Sequence, residues 1–254
     1  MSLLVHLALI GYAAAAAVFS VWLIRPRAAL PLVGRVLLLA GLCAHLGSLA
    51  GAWHGRQVLS LLVAATVAGY LALDWLYRLP VAGAFVAPIV VAAMVPAHLI
   101  SSAAHPAGAR SAALTVHVVS STLGTAALAL AFGLALVYLG GERQLKGKHP
   151  GRLSARLPSL DAIDRIGWKL VAWGFVLLSA AIATGRLVSP FALGPKQGFA
   201  LAAWALLALL VQARLVAGWR GRRAALLVVG GFALLAGSLV ALLASRGVAP
   251  AGGA

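Results

Sequence analysis

The sequence predicts an all-α protein: a polytopic bundle of eight transmembrane helices forming one domain over residues 1–254. Three observations predict it. Hydrophobic residues make up 63% of the 254 and charged residues 9%, whereas a soluble domain carries roughly 25% charged residues to cover its surface. Apolar runs of about 20 residues recur along the whole chain, each long enough to cross a hydrocarbon core roughly 30 Å thick. The basic residues gather in alternate connections between those runs. The longest polar stretch, from about Gly140 to Arg165, is too short to build a soluble core of its own.

Taken in order, the apolar runs place helices at 3–24, 36–53, 57–77 and 81–103, then at 112–139, 163–186, 197–216 and 224–245. Pro80, Pro106, Pro158 and Pro195 fall in the connections, where proline punctuates helices. Pro88 and Pro96 fall inside the fourth helix, where a bend is expected. The small-residue runs Ala13–Ala17 and Gly230-Gly231 read as faces for close helix packing. Trp53, Trp75, Trp168 and Trp219 stand at helix boundaries and read as interfacial anchors.

Charge sets the expected orientation. Fifteen of the 20 Lys and Arg lie in or beside connections 1, 3, 5 and 7; Arg56, Arg110, Arg186, Lys196 and Arg246 lie on the other side. The positive-inside rule then puts the odd connections in the cytoplasm and both termini outside. Residues 3–24 exceed the apolar core of a signal peptide and follow no basic residue, so they read as a retained helix. The net charge of +16, interleaved with membrane segments, points to anionic lipid headgroups and not to nucleic acid. The single Cys43 excludes an intrachain disulfide framework and reads as a small buried apolar residue.

The histidines carry the chemistry. On this map His6, His45, His54, His98, His105 and His117 all lie in the outer half or outside, and only His149 is cytoplasmic. The four acidic residues, Asp74, Glu142, Asp161 and Asp164, sit at the opposite side. Hydrolysis normally wants a carboxylate or a nucleophile beside its base, and no such set appears. No HxH or HxxxH spacing suggests zinc. Haem suits the inventory better: imidazoles as axial ligands, an apolar wall for the porphyrin, and cations for the propionates. His45 and His117 lead as ligands of the haem iron because a polar residue within a membrane helix is expensive; the competing reading is an interhelical hydrogen bond. His98, His105 and His54 follow as weaker candidates nearer the interface, with Arg110 and Arg56 as propionate partners.

The stretch from His45 to the end of the eighth helix resembles the CcsA/CcmC-type cytochrome c assembly superfamily. The resemblance is carried by Tyr70-Leu-Ala-Leu-Asp-Trp-Leu-Tyr-Arg78 followed by Gly83-Ala-Phe-Val-Ala-Pro88, and by His117 opening a helix that ends in Glu142-Arg-Gln-Leu-Lys146. Leu157-Pro-Ser-Leu-Asp-Ala-Ile-Asp164, Gly174-Phe175, Thr184-Gly185 and Gly218-Trp-Arg-Gly-Arg-Arg-Ala-Ala225 follow in the family's order. The chain looks closest to the short HemX/YpjD-like branch. The resemblance implies membrane haem handling for cytochrome c maturation, in a bacterial-type inner membrane and beside other maturation proteins. It places a haem-binding histidine at His117 and a second, typical of that branch, at His45. The tryptophan-rich WWD segment of haem-presenting members is missing before Pro195-Lys196, and Gln212 stands where an intramembrane histidine is expected. The resemblance therefore implies a haem-binding accessory, regulator or partial transporter, not an enzyme with its own hydrolytic site. Two rival readings are a small-molecule permease that uses the histidines as proton relays and a scaffold subunit of a membrane haem complex that binds nothing itself.

Overall fold

The computed structural model describes residues 3–50, 58–99, 112–147, 158–188 and 194–247. Eight helices fill them: α1 (Leu3–Ile24), α2 (Leu30–Ala50), α3 (Val58–Tyr77), α4 (Pro80–Leu99), α5 (Ala112–Lys146), α6 (Leu160–Val188), α7 (Pro195–Val216) and α8 (Arg222–Gly247). Seven are long and apolar enough to cross a membrane, and α4 adds a shorter apolar stretch, Pro80–Val95. The chain is a multi-pass membrane protein by the length and composition of these helices.

Most described helix ends fall within a few residues of the expected bounds; two depart by more. α2 begins at Leu30 instead of 36, because Pro31 sits in the first turn, where its missing N–H has no partner to lose. α5 runs to Lys146, past the expected end at 139. Gly140-Gly141 does not stop it, and a Glu142–Lys146 ion pair of 2.7 Å, one turn apart, supports the final turn. Pro80 and Pro195, both expected in connections, open α4 and α7 at their first positions. α4 continues as one helix through Pro88, whose ring is exposed.

The helices form two groups joined by α5. The first core contains Tyr12, Phe19, Leu38, Val67, Tyr70 and Met94 from α1 to α4. The second contains Val171, Leu178, Ala203, Leu207 and Val228 from α6 to α8. α5 lies between them. It gives Leu130, Leu134 and Val137 to the first core and Leu128, Ala131 and Ala135 to the second, so it is apolar around its circumference, as a central helix must be. Its partner α6 comes close: a Cβ on Gly124 would stand 3.1 Å from the Leu178 backbone nitrogen. The Gly230-Gly231 face packs as expected, against Leu206 and Leu207 of α7.

Contacts between helix ends show an up-and-down arrangement. Phe19, late in α1, meets Gly34, early in α2, and Gly83, early in α4. Tyr138, late in α5, meets Gly221, just before α8. Phe199, early in α7, meets Gly237, late in α8. All four acidic residues thus gather at one end, each engaged by a cation: Asp74 with Arg35, Glu142 with Lys146, Asp161 with Arg165 and Asp164 with Arg214.

Arg35 holds Asp74 through Nε and through a second bond of 3.3 Å from its terminal nitrogen. The partners are unequal, Asp74 being 1% exposed and Arg35 38%. Arg35→Met should therefore lower the thermal midpoint in detergent more than Asp74→Asn. The first strands a buried carboxylate, whereas the second leaves a cation that reaches water along its own stem. Equal losses from both would show that the pair sits in one uniform environment.

Candidate functional site

His45 and His117 each sit five residues from a described helix end, His45 before Ala50 and His117 after Ala112, about 7.5 Å along the helix axis. Both are remote from the carboxylate-bearing end of the bundle.

His117 is half-buried on α5, and α6 provides its setting. Its Nδ1 lies 2.8 Å from the Ala181 carbonyl oxygen. A carbonyl can only accept, so Nδ1 carries the proton and donates; in the neutral ring the lone pair then lies on Nε2. Gly185 makes the approach possible: a Cβ there would stand 3.0 Å from the ring's Cε1 and 3.2 Å from Nδ1. The α6 turn beneath is polar, with the Thr184 hydroxyl donating to Ala180 at 2.7 Å and to Ala181 at 3.3 Å. A backbone carbonyl on Nδ1 fixes the tautomer and ring plane of a metal-binding histidine and points Nε2 at the ligand position.

His45 is completely buried. Its Nδ1 and the Tyr12 hydroxyl of α1 share a hydrogen bond of 3.2 Å, with the two rings edge to face at 5.9 Å. Either the hydroxyl donates to Nδ1 or Nδ1–H donates to the hydroxyl; the second tautomer places the lone pair on Nε2. Ser48 caps this turn by donating to the His45 carbonyl at 2.6 Å.

The two histidines are held by different parts of the bundle. α2 packs on α1 and α3, whereas α5 packs on α3, α4, α6 and α8. His98 lies on α4 without a described side chain, and His54, His105, Arg56, Arg110 and His149 lie outside the described residues. His6 is exposed on α1. Among the described residues no group of three His, Cys, Asp or Glu side chains converges as a metal site.

Sequence reasoning missed three residues here. Tyr12 reads as packing in an apolar helix; its signal is a hydroxyl that needs a partner once buried. Ala181 carries no signal, because it contributes only its carbonyl. Gly185 stood inside a family-like Thr-Gly pair, but only the fold shows that it clears room for His117. Arg186 follows it, exposed in the last turn of α6.

The candidate donors are thus two imidazoles on separate helices, one with its Nδ1 held by a backbone carbonyl and one beside a tyrosine hydroxyl. Comparison with known proteins gives the family. Residues 29–246 match the family of the Cytochrome C assembly protein. The chain is 34% identical over 86 residues to the cytochrome c biogenesis protein CcsA of Gloeothece citriformis and to that of Synechocystis sp., in each case over 32% of this chain and 26% of the relative. It is 34% identical over 89 residues to the CcsA of Rippkaea orientalis, over 33% of this chain and 26% of the relative. The similarity thus spans about a quarter of the length of these curated relatives. No solved structure matches.

Proposed function

The chain belongs to the Cytochrome C assembly protein family, and from that premise we propose that it is a haem-binding assembly or accessory factor of the HemX/YpjD-like branch. In this reading all eight helices cross a bacterial-type inner membrane. The carboxylate-bearing end faces the cytoplasm, and both termini and the two histidines lie towards the outside. The observation that carries it is the clamp on His117: a carbonyl on Nδ1, a glycine clearing the ring, and Nε2 left with its lone pair. His117 would hold the haem iron, and His45, held by Tyr12, would be the second haem-handling histidine. Arg186 joins Arg110 and Arg56 as a partner for propionates. Bound haem supplies the iron porphyrin that a c-type cytochrome carries. The chain's own contribution is to fix the imidazole's tautomer and plane and to surround the porphyrin with apolar helix faces. Partners are other cytochrome c maturation proteins, which supply the presenting segment absent before Pro195.

The test is the visible spectrum, oxidised and reduced, of protein expressed with ample haem and purified in mild detergent. A Soret band is expected, weakened in His45→Ala and lost in His117→Ala. No band in the unaltered protein, with haem supplied, overturns the reading. A band that survives His117→Ala overturns the ligand assignment.

A further inference from the structure

α6 packs closely on α5 and α7 closely on α8, while α6 and α7 touch only lightly. At the carboxylate-bearing end this leaves a shallow, open crevice, walled by Leu134 and Tyr138 of α5, Ile163 and Gly167 of α6, Leu210 of α7 and Val228 of α8. The space reaches the α6 backbone, since a Cβ on Gly167 would meet nothing within 4 Å. The wall is hydrocarbon apart from one polar corner, and that corner is already satisfied. Asp164 accepts from Arg214 at 2.7 and 3.1 Å and from the Gly221 N–H at 3.1 Å.

The α7–α8 turn lies beside this corner. Gly218 and Gly221, at φ of +65° and +67°, bend the chain in a conformation that suits glycine, and the bond from Gly221 to Asp164 pins the turn to α6. It presents Arg220, Arg222 and Arg223 exposed, with Arg223 over the Trp219 ring at 5.7 Å. The four Asp and Glu side chains pair with Arg35, Lys146, Arg165 and Arg214; Asp164 also lies within electrostatic reach of Arg220, so the turn keeps a net positive charge. A hydrocarbon crevice beside a turn that carries three exposed arginines matches one molecule of the surrounding membrane: an apolar chain joined to an anionic phosphate.

We propose that this crevice seats one anionic glycerophospholipid, with an acyl chain beside Gly167 and the phosphate on the arginines of the α7–α8 turn. A free phosphate would leave the apolar wall bare, and a zwitterionic lipid would bring its own cation to the arginines. The seat is independent of haem binding and ties α6 to α7 where the helices barely meet.

The experiment is native mass spectrometry of delipidated protein titrated with phosphatidylglycerol, phosphatidylcholine and short-chain dihexanoyl phosphatidylglycerol. One phosphatidylglycerol should be retained about tenfold more strongly than phosphatidylcholine, and the short-chain lipid should be retained poorly. Gly167→Leu, which fills the crevice, should abolish that retention. Arg220→Gln/Arg222→Gln/Arg223→Gln, on exposed positions, should erase the headgroup preference, and it carries the test if Gly167→Leu fails to fold. Equal retention of the two long-chain lipids overturns the proposal. Retention unchanged in a folded Gly167→Leu variant overturns it too, as does retention of the short-chain lipid equal to that of the long-chain one.

Discussion

Gly185→Val will cost the protein most of its haem without touching a ligand. A Cβ at Gly185 already stands 3.0 Å from His117 Cε1, tighter than ordinary contact, and valine's two methyl groups extend further into the ring's position. The imidazole must tilt off the Ala181 carbonyl, which releases both its tautomer and its plane. Removing such an orienting contact typically weakens metal binding 10–100-fold, so haem retained through purification should fall by about that factor, with helical content unchanged. Gly185→Ala should lie between, because a shift of a few tenths of an ångström accommodates one methyl group. Haem retention by Gly185→Val equal to that of the unaltered protein would show that the clamp does not serve a ligand. Failure of both glycine variants beside a normal His117→Ala would place the haem elsewhere in the bundle.

Asp164→Leu should be the most destabilising single change at the other end of the bundle. Asp164 and Arg214 are 10% and 9% exposed, the guanidinium lies over Trp168 at 4.9 Å, and the carboxylate also accepts the Gly221 N–H. Removing it leaves a buried cation and a turn without its acceptor, at a cost of about 3–5 kcal/mol. Replacing both partners, Asp164→Leu with Arg214→Leu, should recover most of that loss, because well-packed apolar residues often substitute for a buried ion pair. Thermal midpoints in detergent measure both variants. A double variant no more stable than Asp164→Leu would mean that the Gly221 contact, and not the stranded charge, dominates.

Much of the architecture was legible in the sequence because membrane helices must satisfy their backbone internally and present apolar side chains to lipid. Both constraints are local. Apolar runs therefore located the eight helices, with the largest departures where another local term intervened: Pro31 tolerated in a first turn, and the Glu142–Lys146 pair carrying α5 beyond Gly141. The segregation of acidic residues from His45 and His117 followed from placing residues on alternating helices. The polar cost of an intramembrane imidazole marked those two as the residues to explain.

Their partners were not legible, because they depend on helix rotation and on which helices pack together. Tyr12 is 33 residues from His45 in sequence, and Ala181 is 64 from His117. The second of these contacts uses a backbone atom that every residue type possesses. Gly185, Gly167 and the Asp164–Arg214 pair likewise gain meaning only from what stands opposite. The sequence by itself determined that this is a helical membrane protein and that its acidic residues stand at one end, remote from His45 and His117, since those follow from transfer free energies summed along one chain. The tertiary structure alone decided that α5 joins two groups of helices, that α6 orients His117, and that α6 and α7 leave a crevice. These are properties of packed surfaces, set by the shapes that facing side chains leave between them.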